Sequence, residues 1–99
     1  MIGRMPDEST FLVTYRYVPG MEERRTPHRA AHLEWIRELH AAGRVLVAGA
    51  LQDPVDSAVL IFRAPDGYTV RQLLMHDPYA RAELIVDVSV RPYGIAVGA

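Results

Sequence analysis

From Phe11 to Tyr17 the chain alternates with a period of two: Phe11, Val13, Tyr15 and Tyr17 share one face, and Leu12, Thr14 and Arg16 the other. That spacing predicts a strand. Pro19-Gly20 breaks it, and Met21 to Arg25 reads as a charged loop. The period then lengthens to three and four. Counting from His32 reaches Trp35, Ile36 and Leu39, the apolar stripe of an amphipathic helix. Thr26-Pro27 supplies an N-cap and a first-turn proline, and Gly43 the left-handed residue that closes a helix. The helix is therefore expected from about Pro27 to Ala42.

Further along, Arg44 to Leu51 and Ser57 to Arg63 read as two strands joined by a turn at Asp53-Pro54, close enough in sequence to form an antiparallel hairpin. Pro65-Asp66-Gly67 is another break. A short helix is expected from about Thr69 to Met75, a helical turn opened by Asp77-Pro78-Tyr79, and a last strand from Leu84 to Tyr93. The order β-α-β-β-α-β is that of a ferredoxin-like α+β sandwich on one antiparallel sheet. Right-handed crossovers place both helices on the same face. In the middle strands Val45, Val47, Val59 and Ile61 are apolar, and so are Leu46, Ala48, Leu60 and Phe62 on the opposite side. Helices cover one of these faces, so the other predicts a homodimer packed sheet to sheet. Asp87 and Ser89, alternating with Val86, Val88 and Val90, are expected on the partner side. Residues 1–9 read as a flexible lead-in and 10–95 as a single domain.

Composition adds mainly exclusions. Ninety-nine residues, 49% apolar and with a formal net charge of -1, make one small globular domain. There is no basic excess to neutralise phosphates and no aromatic and basic strand motif for base stacking, so nucleic acid is not an expected partner. All eleven basic residues are arginine, which removes lysine Schiff-base chemistry. The absence of cysteine excludes thiol catalysis, disulfides and Cys-ligated zinc. No apolar run approaches the roughly 20 residues that cross a bilayer. The opening residues lack the apolar core of a signal peptide, so a cytoplasmic protein is expected.

An imidazole at His32 interrupts the apolar stripe and points inward or into a pocket. It is either a core histidine bonded to a carbonyl or a general acid/base. Asp77 before Pro78 has the form of a helix N-cap. Arg29 lies one turn before His32, where a guanidinium can grip a substrate carboxylate or pair with an acid of the 21–25 loop. His28 and His32 are four apart, but two imidazoles are too few for a zinc site, and His40 is placed to complement the helix dipole. His76 has no independent claim. Trp35 is a core residue that also walls a pocket, and Tyr79 packs the Asp77 turn. No serine or cysteine nucleophile accompanies these groups, so proton transfer without metal or cofactor is expected rather than acyl transfer.

The run Arg29-x-x-His32-Leu33, then Leu39-His40-x-x-Gly43-Arg44-x-Leu46-x-Ala48-Gly49, then Asp77-Pro78-Tyr79 and Val88-Ser89-Val90-Arg91-Pro92-Tyr93, resembles the YciI-like (YCII-related) family from about Phe11 to Tyr93. The resemblance implies a ferredoxin-like domain that dimerises as the dimeric α/β barrels do. It also implies a histidine–aspartate active site at His32 and Asp77, with Arg29 at the family's arginine. Asp77 would then cap its helix through one carboxylate oxygen and orient the imidazole through the other. Reactions of related proteins include isomerisation of a lactone and dehydrochlorination of a chlorinated aromatic. Ala50 stands where many members have proline, and the 51–57 connection is short, so the pocket wall departs from the family. By analogy with those relatives, the resemblance implies an isomerase or lyase that moves a proton on a small unsaturated or ring acid, in a cleft lined by the dimer interface. A non-catalytic dimeric module that binds a metabolite, or accompanies a larger enzyme, is the alternative.

Overall fold

A computed structural model describes residues 8–98. Residues 1–7 of the lead-in expected over 1–9 lie outside them, and Ser9, assigned to that lead-in from sequence, opens the first strand opposite Ala64. Along the chain run β1 (Ser9–Tyr17), α1 (Met21–Arg24), a 3-10 turn (Thr26–His28), α2 (Arg29–Ala41), β2 (Val45–Ala50), β3 (Ser57–Ala64), α3 (Gly67–Leu74), α4 (Pro78–Arg81) and β4 (Ile85–Pro92). The strands form one sheet in the order β2-β3-β1-β4 with every neighbouring pair antiparallel. This is the expected ferredoxin-like α+β arrangement.

Period-two alternation puts the core on one face. Phe11, Val13, Tyr15 and Tyr17 of β1 and Ala58, Leu60, Phe62 and Ala64 of β3 are buried, together with Ile36 of α2 and Val70 and Leu74 of α3. The other face carries Leu12, Val59, Ile61 and Val47, with Val47 58% exposed. Asp87 and Ser89 lie on this face, since Asp87 pairs with Arg16 and Ser89 with Thr14.

In β2 the plain alternation read from sequence fails. A bulge between Val45 and Val47 brings Val45 opposite buried Phe62, and Val47 opposite Ile61 on the outer face. Val45 and Val47 therefore face opposite ways. A second register shift, between Arg16 and Tyr17, sits beside Val86, which is 49% exposed.

Two local expectations are also corrected. Met21–Arg25 is not a loop: Gly20, at φ 72, turns the chain into α1, and Met21 packs into the core at 1% exposure. Thr26 does not cap α2, because a 3-10 turn from Thr26 to His28 intervenes and no side chain caps either element. At the other end Gly43 adopts φ 78, as expected past a helix. The α3 helix starts at Gly67, capped by the Asp66 carboxylate accepting from the Thr69 N–H at 2.8 Å. Among the described residues no helix is long and apolar enough to cross a membrane.

Candidate active site

Three separated stretches meet beneath α2: the end of β1 with Tyr15 and Tyr17, the first half of α2 with His32, and the start of α4 with Asp77 and Tyr79. Pro78 fixes the first turn of α4 and leaves Asp77 extended at its N-cap (φ -64, ψ 124), where its side chain turns inward. Asp77 is the one charged side chain with no exposure at all among the described residues. Its Oδ1 accepts the Tyr79 N–H at 2.9 Å and lies 2.7 Å from His32 Nδ1, while Oδ2 accepts the Tyr15 hydroxyl at 2.7 Å. Cap and imidazole thus share one oxygen, where the sequence reading divided them between two. The second oxygen is taken by a phenol that the sequence reading did not assign to Asp77.

A carboxylate only accepts, so Nδ1 of His32 is the donor and the proton of that tautomer is held on the Asp77 side. No buried side-chain nitrogen or oxygen lacks a partner among the described residues. Nε2, which has no protein partner there, is therefore open to what occupies the neighbouring cavity. The ring is held flat against Tyr79, with centroids 3.8 Å apart and planes 4° from parallel, and Tyr17 meets Tyr79 edge-on at 6.0 Å. Burial, reinforced by the Asp77 charge, holds the Tyr15 phenol far above its ordinary value, so it stays a donor. Burial also raises Tyr17 and Tyr79, against the opposing pull of Arg25 and Arg29.

The cavity beside this network has a volume of about 330 Å³, within the range of small-molecule sites. Tyr15, Tyr17, Arg25, Arg29, His32 and Tyr79 line it on one side, and Ala48, Gly49, Ala50 and Gln52 on the side of β2. It opens on the helix-covered face of the sheet, where Tyr15, Ala58 and Leu60 also point. A larger hollow of about 660 Å³ lies at the far end of β1, around Thr10, Arg63 and Tyr93. It holds no imidazole and no buried carboxylate.

Residues 9–93 match the model of the YCII-related domain. The chain belongs to the YCII-related domain family. Among solved structures it is similar to 5-chloro-2-hydroxyhydroquinone dehydrochlorinase (TftG) from Burkholderia phenoliruptrix AC1100, in complex with 2,5-dihydroxybenzoquinone. The TM-score is 0.75 at 24% identity, covering 86% of this chain and 93% of that one. At that identity the likeness establishes the shared fold. A search of curated proteins finds no match.

In this YCII-related domain His32, Asp77 and Tyr79 come together, and Arg29 lines the same cavity with no carboxylate within 4.0 Å among the described residues. Trp35 does not line it. Its ring, 6.0 Å from His32, packs against the core. His40 bonds the Val45 carbonyl at 2.8 Å, tying the end of α2 to β2, and His76 accepts from Arg81 at 3.3 Å. Among the described residues no group of three or more His, Cys, Asp or Glu is placed to hold a metal ion. Sequence reasoning missed Arg25, Tyr17 and Gln52 as cavity residues. The available signal was the spacing of Arg25 four before Arg29, obscured because the 21–25 stretch read as a loop.

Proposed function

We propose that this protein is a small-molecule enzyme in which His32 moves a proton on a small unsaturated or ring acid, Asp77 orients the imidazole, and Arg29 anchors the substrate. One observation carries the reading: Nδ1 of His32 is tied at 2.7 Å to a fully buried carboxylate, which leaves Nε2 facing a cavity of single-ring size. A histidine fixed in this way takes a proton at Nε2, and the carboxylate steadies the imidazolium that forms. Nε2 removes a proton from a substrate carbon, and the C–H electron pair becomes a new double bond. In an isomerisation the imidazolium returns the proton to another carbon of the same unsaturated system. In an elimination the electron pair expels a leaving group such as chloride, and the proton passes to solvent. The name of the similar dehydrochlorinase supports the second form.

His32→Ala is expected to abolish turnover of a panel of unsaturated and halogenated ring acids while the protein stays folded. Full retention of activity by that variant overturns the mechanism. Activity lost from wild type across the whole panel favours the binding-module reading.

We further propose a homodimer through the outer sheet face. Leu12, Ile61 and Val47 form an apolar row across β1, β3 and β2, and all four helices pack on the other side. Removing such a row from water is favourable at about 25 cal/mol per Å². Light scattering should show a dimer for wild type and a folded monomer for Ile61→Asp, and a wild-type monomer at working concentration contradicts the assignment.

A further inference from the structure

One end of the cavity holds charge that the proton transfer does not use. Arg25 closes α1 with its N–H on the Met21 carbonyl at 2.8 Å, and its own carbonyl accepts from the His28 N–H at 2.8 Å. This tight sequence of turns brings Arg25 and Arg29 to the same wall, beside Tyr17 and Tyr79. Neither guanidinium has a carboxylate within 4.0 Å among the described residues. Asp77 does not answer them: it is fully buried, and its two oxygens are already engaged by Tyr15, His32 and Tyr79. Among the described residues no Asp or Glu lines the cavity. Two like charges gathered at one wall repel each other, and an anionic ligand converts that cost into attraction. Each guanidinium also presents a planar fork that fits a carboxylate through two parallel hydrogen bonds.

We propose that Arg25 and Arg29 form a two-guanidinium subsite that selects substrates bearing two neighbouring anionic groups on one ring or unsaturated chain, with Arg25 the residue that distinguishes dianion from monoanion. The proposal rests on the reading of this cavity as the substrate site, and it names the substrate's charge. The diacid lies against the α1–α2 wall, and the rest of the ring extends toward Nε2 of His32. The remaining wall, Ala48 to Ala50, contributes neither charge nor bulk.

Calorimetric titration of the full chain with phthalate, benzoate and benzamide reads the subsite independently of turnover. Phthalate is expected to bind about tenfold or more tightly than benzoate, and benzamide most weakly. In Arg25→Leu the phthalate preference falls to within about twofold of benzoate, whereas Arg25→Lys keeps part of it because the charge survives without the fork. If Arg25→Leu does not fold, the wild-type preference itself is followed from about 20 mM to about 500 mM salt, across which screening should remove most of it. Equal affinity for phthalate and benzoate overturns the subsite, as does an undiminished preference in folded Arg25→Leu, a preference indifferent to salt, or no phthalate binding to wild type. The enzyme reading fails separately: an arginine-dependent preference for phthalate, with no turnover that requires His32, leaves a charge-selective binding protein.

Discussion

Asp77→Ala is expected to cost about 3–5 kcal/mol of folding stability, the range for removing one partner of a buried charged pair. Three donors lose their acceptor at once: the Tyr15 hydroxyl, His32 Nδ1 and the Tyr79 N–H. Two of them come from residues that are themselves almost wholly buried, Tyr15 at 1% and Tyr79 at 2% exposure, so water does not readily replace the carboxylate. Urea denaturation of wild type and variant measures the difference. A loss of only about 1 kcal/mol is what a helix cap alone gives, and would reduce Asp77 to that role. Asp77→Asn separates charge from shape. Its amide oxygen can still accept from Tyr79 and His32, and its amide nitrogen can donate to the Tyr15 oxygen. The fold should therefore lose much less, while turnover falls by orders of magnitude for want of a charge to steady the imidazolium.

The second large effect belongs to Tyr79. Its ring supports the His32 imidazole over its whole face and receives Tyr17 edge-on, and its backbone N–H holds Asp77. Tyr79→Ala should cost about 3–5 kcal/mol, as for other large aromatics removed from a core. Tyr79→Phe keeps the ring and the N–H, and should stay within about 1 kcal/mol of wild type. Thermal melts of the two variants decide between them. Equal losses would mean that the hydroxyl, and not the stacked face, does the holding.

Much of this arrangement can be read from residues in a row. The two periods, Pro19-Gly20, Gly43, Pro65-Asp66-Gly67 and Asp77-Pro78 place the strands and the two longer helices within a few residues, because turn chemistry and burial agree there. The α1 turn is not legible: of its four residues only Met21 is apolar, and one buried anchor makes no period. Nor is the bulge in β2, since an extra residue in a strand costs little and leaves no mark in a run of small apolar side chains. At the site, His32 stands out because it breaks an apolar stripe, and Asp77 because of the proline after it. The bond from Tyr15 could not be read, as it joins positions 62 apart in the chain. Tyr15 itself looks like any core residue on its face of β1. Trp35 misleads for the complementary reason: its spacing from His32 is right for a shared wall, yet its ring goes to the core.

The stretch Ala48-Gly49-Ala50 has a consequence for how this protein could change over generations. The hydrogen-bonded set of Tyr15, His32, Asp77 and Tyr79 is closely packed, but the room beside it exists because an outer strand of the sheet carries only small side chains there. Ala48 and Ala50, opposite Leu60 and Ala58, are the β2 side chains on the cavity side, while Gly49, opposite Val59, faces the outer side of the sheet. Selection can therefore resize or reshape the cavity, one tolerated substitution at a time, while the His32–Asp77 pair is inherited intact.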